Sequence, residues 1–234
     1  MHTPHSSSSG PQALARAAAI LSLLTILGGI YAQGMVSNRL VSFSDATATA
    51  NNILAHRSLF QFSFTVFLIE MAAQIGSSAV FYLLLRPAGR NVALVAAFID
   101  LSASIMKTFS RLFYIMPLFV LSSGAQALSA FNPDQLRALA LLLLKINDRG
   151  AGLAVAFFGI SGLLYGYLIF RSGFLPRWLG ILGMIGAAGW LKYFYPPLRF
   201  PSFMVIVGLA LVAAAIKIFW LLVFGVDEER WKAR

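Results

Sequence analysis

Residues 91–121 read NVALVAAFIDLSASIMKTFSRLFYIMPLFVL, an apolar stretch that carries an aspartate, a lysine and an arginine. It exceeds the roughly 20 apolar residues with which a helix crosses a bilayer. Similar apolar runs recur along the 234-residue chain, in which 59% of residues are hydrophobic and 11% are charged. Soluble domains carry about 25% charged residues. The composition therefore predicts a polytopic membrane protein with an all-α fold.

The apolar runs predict six transmembrane helices, at residues 13–34, 59–85, 92–120, 150–171, 174–195 and 202–225. Two longer connections each predict an interfacial or re-entrant helix. In the first, Asp45 is a suitable N-cap. In the second, Asn132 suits an N-cap and Pro133 a first helical position. The expected fold is a polytopic membrane helix bundle of six transmembrane helices plus two interfacial or re-entrant helices.

The domain organisation follows from where the apolar runs begin and end. Residues 1–12 are polar and predict a disordered tail, 13–226 a single six-span membrane domain, and 227–234 a charged C-terminal tail. Basic residues divide almost evenly between the two sides. The tight loops 86–91 and 171–177, however, each carry two arginines. Because short basic loops stay cytoplasmic, both termini are predicted to be cytoplasmic.

Charge and motif content narrow the function classes. The net charge is +10, with basic residues flanking the apolar runs, which fits lipid headgroups rather than nucleic acid. No cysteine is present, so disulfides and thiolate metal sites are excluded. The chain has no HExxH, GxSxG, Walker or GxGxxG motif, and His56 has no second histidine at ligand spacing. We therefore expect no metal, no cofactor and, on balance, no enzymatic activity.

One face of the third predicted span is polar. Positions i, i+4, i+7, i+11 and i+14 of a helix share a face, and here they are Asp100, Ser104, Lys107, Arg111 and Tyr114. Such a face is costly against lipid and should point into the bundle or a wet cavity.

Partners for these charges are predicted from depth in the membrane, using the helical rise per residue. Glu70 and Lys107 fall at a similar height on adjacent antiparallel spans and predict an ion pair. Asp100 and Lys217 form a second candidate pair, whereas Arg111 lies near the outer side and could snorkel. The candidate network comprises Glu70, Gln74, Asp100, Ser104, Lys107, Arg111, Tyr114 and Lys217.

Two patterns concern how the spans pack. Glycines recur at 159, 162 and 166 in span four and at 180, 183, 186 and 189 in span five. Small residues let helices approach closely in lipid, so the two spans are predicted to form a tight pair, and a gap for substrate is the less favoured alternative. The similarity of YLLLR at 82–86 to YLIFR at 167–171 indicates either an old duplication or simply how spans end at the cytoplasmic face.

Four segments carry a family resemblance: DATATANNILAHRSLF, FYLLLRPAGRNVALVAAF, FNPDQLRALALL and GYLIFRSGFLPRWLGILGMI. Over about residues 13–225 the chain resembles a family of six-span bacterial membrane proteins described only as a domain of unknown function, DUF4386. The resemblance implies a bacterial inner-membrane setting and no particular reaction. It also implies an arginine in the part of span three where this chain has FIDLSASIMK, so the charged stripe is expected to be particular to this branch.

Three function classes stay open. The preferred hypothesis is a non-enzymatic accessory or structural membrane protein, in which the buried charges fix helix register. It would contact the lipid bilayer and either a membrane protein partner or further copies of itself, and no nucleic acid. The second is a small transporter or ligand-binding membrane protein that uses Asp100, Lys107 and Glu70. The third is an intramembrane enzyme acting on a lipophile.

Overall fold

The computed structural model describes residues 10–122, 128–194 and 203–234, and every regular element in these ranges is helical. The predicted all-α class is therefore confirmed for this part of the chain. In chain order the elements are α1 (Pro11–Gly29), a π-helix (Ile30–Ser37), α2 (Asn38–Leu40), α3 (Ala46–Ala55), α4 (Arg57–Leu85), a 3-10 turn (Arg86–Ala88), α5 (Arg90–Leu121), α6 (Pro133–Ser172), α7 (Arg177–Trp190), a 3-10 turn (Leu191–Phe194), α8 (Phe203–Val223) and α9 (Glu228–Lys232).

Four helical stretches are long and apolar enough to cross a membrane, namely Pro11–Leu40, Arg57–Ala88, Arg90–Leu121 and Pro133–Ser172. They indicate a membrane protein. Helix α7 has 14 residues, fewer than the roughly 20 that a crossing needs. Helix α8 has 21 residues and contains the shorter apolar segment Val207–Val223. Parts of the predicted fifth and sixth spans lie outside the described residues, as do residues 1–9 of the predicted tail.

The predicted helix starts in the two long connections are confirmed. The Asp45 carboxylate accepts a hydrogen bond of 2.9 Å from the backbone N–H of Ala48 and caps α3. Asn132 and Gln135 form a reciprocal pair, in which each side-chain oxygen accepts a 2.9 Å bond from the other residue's backbone N–H. Helix α6 then begins at Pro133. Both caps satisfy N–H groups that a helix leaves without partners at its start.

The second interfacial helix, however, is a wrong prediction. Residues 133–172 form one continuous helix of 40 residues, so the capped start belongs to the same helix as the predicted fourth span. No proline interrupts these residues after Pro133, and a single glycine such as Gly150 costs only about 1 kcal/mol relative to alanine. The helix ends instead before Gly173, whose φ of 72° lies in the left-handed region.

The chain divides into two compact units. The first unit comprises Met1–Leu23, Gly76–Asp100 and Phe158–Arg234, and the second unit comprises Leu24–Ile75 and Leu101–Phe157. Helix α7 packs against α8 within the first unit. The second unit has a buried core of Ala32, Val36, Leu40, Ile53, Phe60, Phe67, Tyr114, Leu118 and Leu144.

The charged C-terminal segment is hydrogen-bonded to other residues of the first unit. Asp227 caps α9 by accepting a bond of 3.1 Å from the backbone N–H of Arg230. The indole N–H of Trp231 donates to the carbonyl oxygen of Leu84 at 2.8 Å, and the Arg230 guanidinium donates to the carbonyl oxygen of Gly173 at 3.2 Å. These bonds hold the segment against the ends of α4 and α6.

Candidate functional site

An ion pair lies inside the second unit. The Lys107 ammonium on α5 donates to the Glu70 carboxylate on α4, with 2.6 Å between Nζ and Oε1. Glu70 is 3% exposed and Lys107 14% exposed, so water screens the pair weakly. The structure thus contains the pair that depth along the two helices predicts.

Helix α1 closes over the Glu70 side chain. A Cβ at Gly28 would lie 3.2 Å from the Glu70 Cβ, and a Cβ at Gly29 would lie 3.3 Å from its Oε1. Both positions therefore have little room for a larger residue. The second carboxylate oxygen, Oε2, is buried without a hydrogen-bond partner among the described residues. The carboxylate thus depends heavily on Lys107 for compensation.

Arg111 is held inside the second unit, one helical turn beyond Lys107. Its guanidinium donates to the Asn147 side-chain oxygen at 3.1 Å and lies 3.5 Å from the centre of the Phe67 ring. A cation over an aromatic face gains about 2 kcal/mol when desolvated. Arg111 is 2% exposed, so the prediction that it snorkels to the outer surface is wrong. Asn147 on α6 supplies the interior acceptor that the sequence argument lacked.

Tyr114 is fully buried at the end of the predicted polar stripe. Its ring stacks on Phe60 with 4.3 Å between centroids, and its hydroxyl donates to Ser63 at 3.3 Å. Ser63 in turn donates to the carbonyl oxygen of Ala32 at 3.3 Å. Ala32 lies in the π-helix Ile30–Ser37, a wider turn that is often found at functional positions. The hydroxyls therefore tie α5 and α4 to this irregular segment.

The remaining predicted members of this group are Ser104 and Gln74. Ser104 is buried on α5, and its backbone oxygen accepts a bond of 2.7 Å from Thr108. Gln74 is partly buried on α4. Sequence reasoning missed Ser63 and Asn147. Ser63 lies seven residues before Glu70 and therefore on the same helical face, so the helical period could have identified Ser63 as a candidate member of the network.

Asp100 is the buried carboxylate of the first unit. Its two oxygens accept hydrogen bonds from Ser78 on α4 and from Ser161 on α6, the latter at 2.8 Å. Asp100 is 4% exposed, and two hydroxyl donors replace part of the water that an ionised carboxylate loses on burial. Neither serine was among the predicted site residues, because a serine within an apolar run has a weak sequence signal.

Lys217 on α8 is placed differently from the prediction. Its ammonium lies 5.0 Å from the centre of the Phe81 ring. Among the described residues, Lys217 forms no ion pair with a nitrogen–oxygen distance within 4 Å. Lys217 and Asp100 nevertheless interact electrostatically. The predicted direct pair is therefore a longer-range attraction, because the two serines take up the Asp100 oxygens.

A cavity of about 170 Å³ lies in the first unit, against α6, α7 and α8. The part of its lining that the structure describes is mostly apolar or glycine, and the lining residues with polar side-chain groups there are Lys217, Tyr165 and Trp190. The Tyr165 hydroxyl is buried and has no hydrogen-bond partner among the described residues. The lining residues are Phe158, Gly162, Tyr165, Gly166, Ile169, Gly183, Gly186, Ala187, Trp190, Ala210, Ala213, Ala214 and Lys217.

The glycines of α6 and α7 serve both close packing and this cavity. A Cβ at Gly180 would lie 2.5 Å from the carbonyl oxygen of Gly166, and a Cβ at Gly162 would lie 2.9 Å from the Ala187 Cβ. The predicted tight pairing of these helices is thus present. In contrast, a Cβ at Gly183 would meet nothing within 4 Å. Space therefore remains beside Gly183, as in the less favoured alternative of a gap between the two spans.

The predicted site residues fall into two groups. Asp100 and Lys217 belong to the first unit, and the other six belong to the second. The cavity and Tyr165 were missed. Tyr165 precedes the YLIFR segment in a run of glycines, and nothing in that pattern distinguishes it from a buried aromatic residue. Among the described residues no group of three or more His, Cys, Asp or Glu side chains could hold a metal ion.

Comparisons with other proteins agree with this architecture without naming an activity. No solved structure matches the chain. An uncharacterised protein of Archaeoglobus fulgidus is 28% identical over 152 residues, which are 62% of this chain and 90% of that protein. The sequence profile of the family described as "Domain of unknown function (DUF4386)" matches residues 17–225. The predicted resemblance is thereby confirmed, and the chain belongs to the DUF4386 family.

Proposed function

We propose that this protein is a six-span integral membrane protein that binds a small lipophilic molecule in the cavity of the first unit. The supporting observation is the cavity itself, whose described walls are mostly apolar and include the polar side chains of Lys217 and Tyr165. Small-molecule sites are typically concave and apolar, with a few polar groups that orient the ligand. The Tyr165 hydroxyl, buried and without a partner among described residues, is a group that a ligand would satisfy.

The six spans comprise the four long helices together with α7 and α8. Helix α7 continues into the 3-10 turn that ends at Phe194, so helical residues run from 177 to 194. This length reaches the lower end of the range for a crossing. We place both termini on the cytoplasmic side of a bacterial inner membrane, because the loops with two arginines each then face inward.

Ligand binding is favoured over catalysis by the groups that line the cavity. Lys217 is a donor of hydrogen bonds, and the lining residues that the structure describes include no carboxylate, histidine or serine. The lining thus offers orientation and shape. Within the described part of the chain, the lining lacks the pairing of a serine or carboxylate nucleophile with an adjacent base on which acyl or glycosyl transfer often depends.

Quenching of tryptophan fluorescence tests the proposal, because Trp190 lines the cavity. The full chain in detergent is titrated with bromobenzene, a ring-sized heavy-atom quencher. We expect a saturable component of quenching that Gly183→Leu abolishes, since its side chain enters open space in the cavity. Trp190→Phe, which removes the reporter, should remove the same component. Identical titrations of wild type and Gly183→Leu would contradict the proposal.

A structural or accessory role is a second candidate, and the Glu70–Lys107 pair favours it. A buried pair with few other partners resembles a lock on helix register more than a pathway for ions. Such a protein would act with a membrane partner or as a homo-oligomer. Cross-linking in intact membranes distinguishes a membrane partner from a homo-oligomer. The products of a homo-oligomer have masses that are multiples of the mass of this chain, whereas a complex with a different partner does not.

A further inference from the structure

We infer that the ligand of the cavity in the first unit has an uncharged head, made of one ring bearing a carbonyl oxygen that accepts hydrogen bonds from Lys217 and Tyr165. This inference rests on the proposed function and adds the chemical class of the ligand. It follows from the volume of the cavity, its hydrogen-bond donors and the balance of buried charge.

The volume sets the size of the head. A cavity of about 150 Å³ with apolar walls holds one benzene molecule. The present cavity, of about 170 Å³, therefore has room for a single ring with a small substituent. The indole of Trp190 and the ring of Phe158 line it, so an aromatic head gains from ring contacts as well as from burial.

The polar groups require a hydrogen-bond acceptor. A lysine ammonium has three donors and no acceptor. Among the described residues, the Lys217 ammonium lies over the face of the Phe81 ring and is attracted electrostatically to Asp100. The Tyr165 hydroxyl has no hydrogen-bond partner there either. A carbonyl oxygen can accept from both groups, which a hydrocarbon ring cannot do.

The balance of charge argues against an anionic head. Lys217 is the basic residue of the described cavity lining, and the buried Asp100 carboxylate attracts its ammonium form. The two charges already compensate each other. A carboxylate or phosphate in the cavity would leave one buried negative charge in excess, and an uncompensated buried charge is strongly unfavourable. A neutral carbonyl satisfies the donors without adding charge.

Three matched probes test the head group on the full chain in detergent. Acetophenone has one ring and a carbonyl, α-methylstyrene replaces the carbonyl oxygen by a methylene group, and benzoate is anionic. Binding is measured from the dependence of Tm on probe concentration, since a ligand of the native state raises stability. We expect acetophenone to bind at least about ten-fold more tightly than α-methylstyrene, a difference of about 1.4 kcal/mol. Benzoate should bind more weakly than either.

Variants connect the preference to the two donors. Tyr165→Phe keeps the ring and should reduce the preference for acetophenone, and Lys217→Met should abolish it while α-methylstyrene still binds. Lys145→Met, at an exposed position of the second unit, is the control and should leave all three affinities unchanged. Gly183→Leu should prevent both neutral probes from binding.

The outcomes separate the inference from the proposed function. Equal binding of acetophenone and α-methylstyrene, both blocked by Gly183→Leu, would overturn the carbonyl head and retain the lipophile site. Tighter binding of benzoate would overturn the neutral head. Failure of both neutral probes to bind the wild-type protein would overturn the ligand site itself. If the preference for acetophenone over α-methylstyrene is unchanged in both the Tyr165→Phe and Lys217→Met proteins, the assignment of these two residues as donors is wrong.

Discussion

Lys107 Nζ lies 2.6 Å from Glu70 Oε1 and joins α5 to α4 inside the second unit. Because the two charges lie on different helices, the pair fixes the register of α4 relative to α5. Burial makes the pair sensitive to loss of one member, because the remaining charge keeps its desolvation penalty without the attraction.

We predict that Glu70→Gln destabilises the protein by about 3 kcal/mol and that adding Lys107→Met partly restores stability. The first change leaves a buried ammonium without its carboxylate, and the second removes that ammonium. The measurement is unfolding in mixed micelles with increasing dodecyl sulfate. Glu228→Gln, which breaks the exposed Lys232–Glu228 pair, is the control and should have little effect. A double variant no more stable than Glu70→Gln would contradict the role of the pair.

We predict that Ser161→Ala costs about 1–3 kcal/mol, because one Asp100 oxygen then loses its donor in a buried site. The same change in an Asp100→Asn protein should cost less, since the oxygen is no longer charged. Thermal unfolding of four proteins, namely the wild type, the Ser161→Ala and Asp100→Asn variants and the double variant, gives the coupling between the two residues. The control is Thr65→Ala, whose exposed hydroxyl bonds its own helix. Strictly additive effects of the two changes would show that the contact carries no energy.

We predict that Gly180→Ala destabilises the packing of α6 against α7 by about 1–3 kcal/mol. The added Cβ would lie 2.5 Å from the carbonyl oxygen of Gly166 and 2.6 Å from the backbone nitrogen of Phe170, and backbone atoms cannot move aside as a flexible side chain can. Gly208→Ala is the matched control, because its Cβ would meet nothing within 4 Å. Thermal unfolding in detergent compares the two, and equal Tm values would argue against close helix contact here.

We predict that Arg177 and Arg234 face the cytoplasm and that Ser44 and Phe194 face the opposite side. The chain has no cysteine, so each residue can be replaced singly by cysteine in a silent background. A membrane-impermeant maleimide added to intact cells should label Ser44→Cys and Phe194→Cys, and should label the other two only after lysis. Labelling of Arg177→Cys and Phe194→Cys from the same side would show that α7 does not cross the membrane.

Several features of the fold were accessible from sequence because they depend on local chemistry. Asp45 and Asn132 have side-chain oxygens that suit helix N-caps, and both cap helices in the structure. Continuity was misjudged at α6, where a cap and a polar segment indicated a separate helix. The helix instead continues through Gly150, because glycine, unlike proline, keeps the backbone N–H that the helix needs for its hydrogen bond.

The sequence by itself determined the membrane class, the polar face of α5 and the Glu70–Lys107 pair. Each of these depends only on quantities that can be counted along the chain: the length of an apolar run, the helical period and the rise per residue. Only the tertiary structure decided that Arg111 turns to Phe67, that serines take up the Asp100 oxygens, and that Lys217 and Tyr165 line one cavity. These outcomes depend on how each helix is rotated about its axis and on which neighbours fill the space. Close packing among many residues fixes that rotation, and no single helix encodes it.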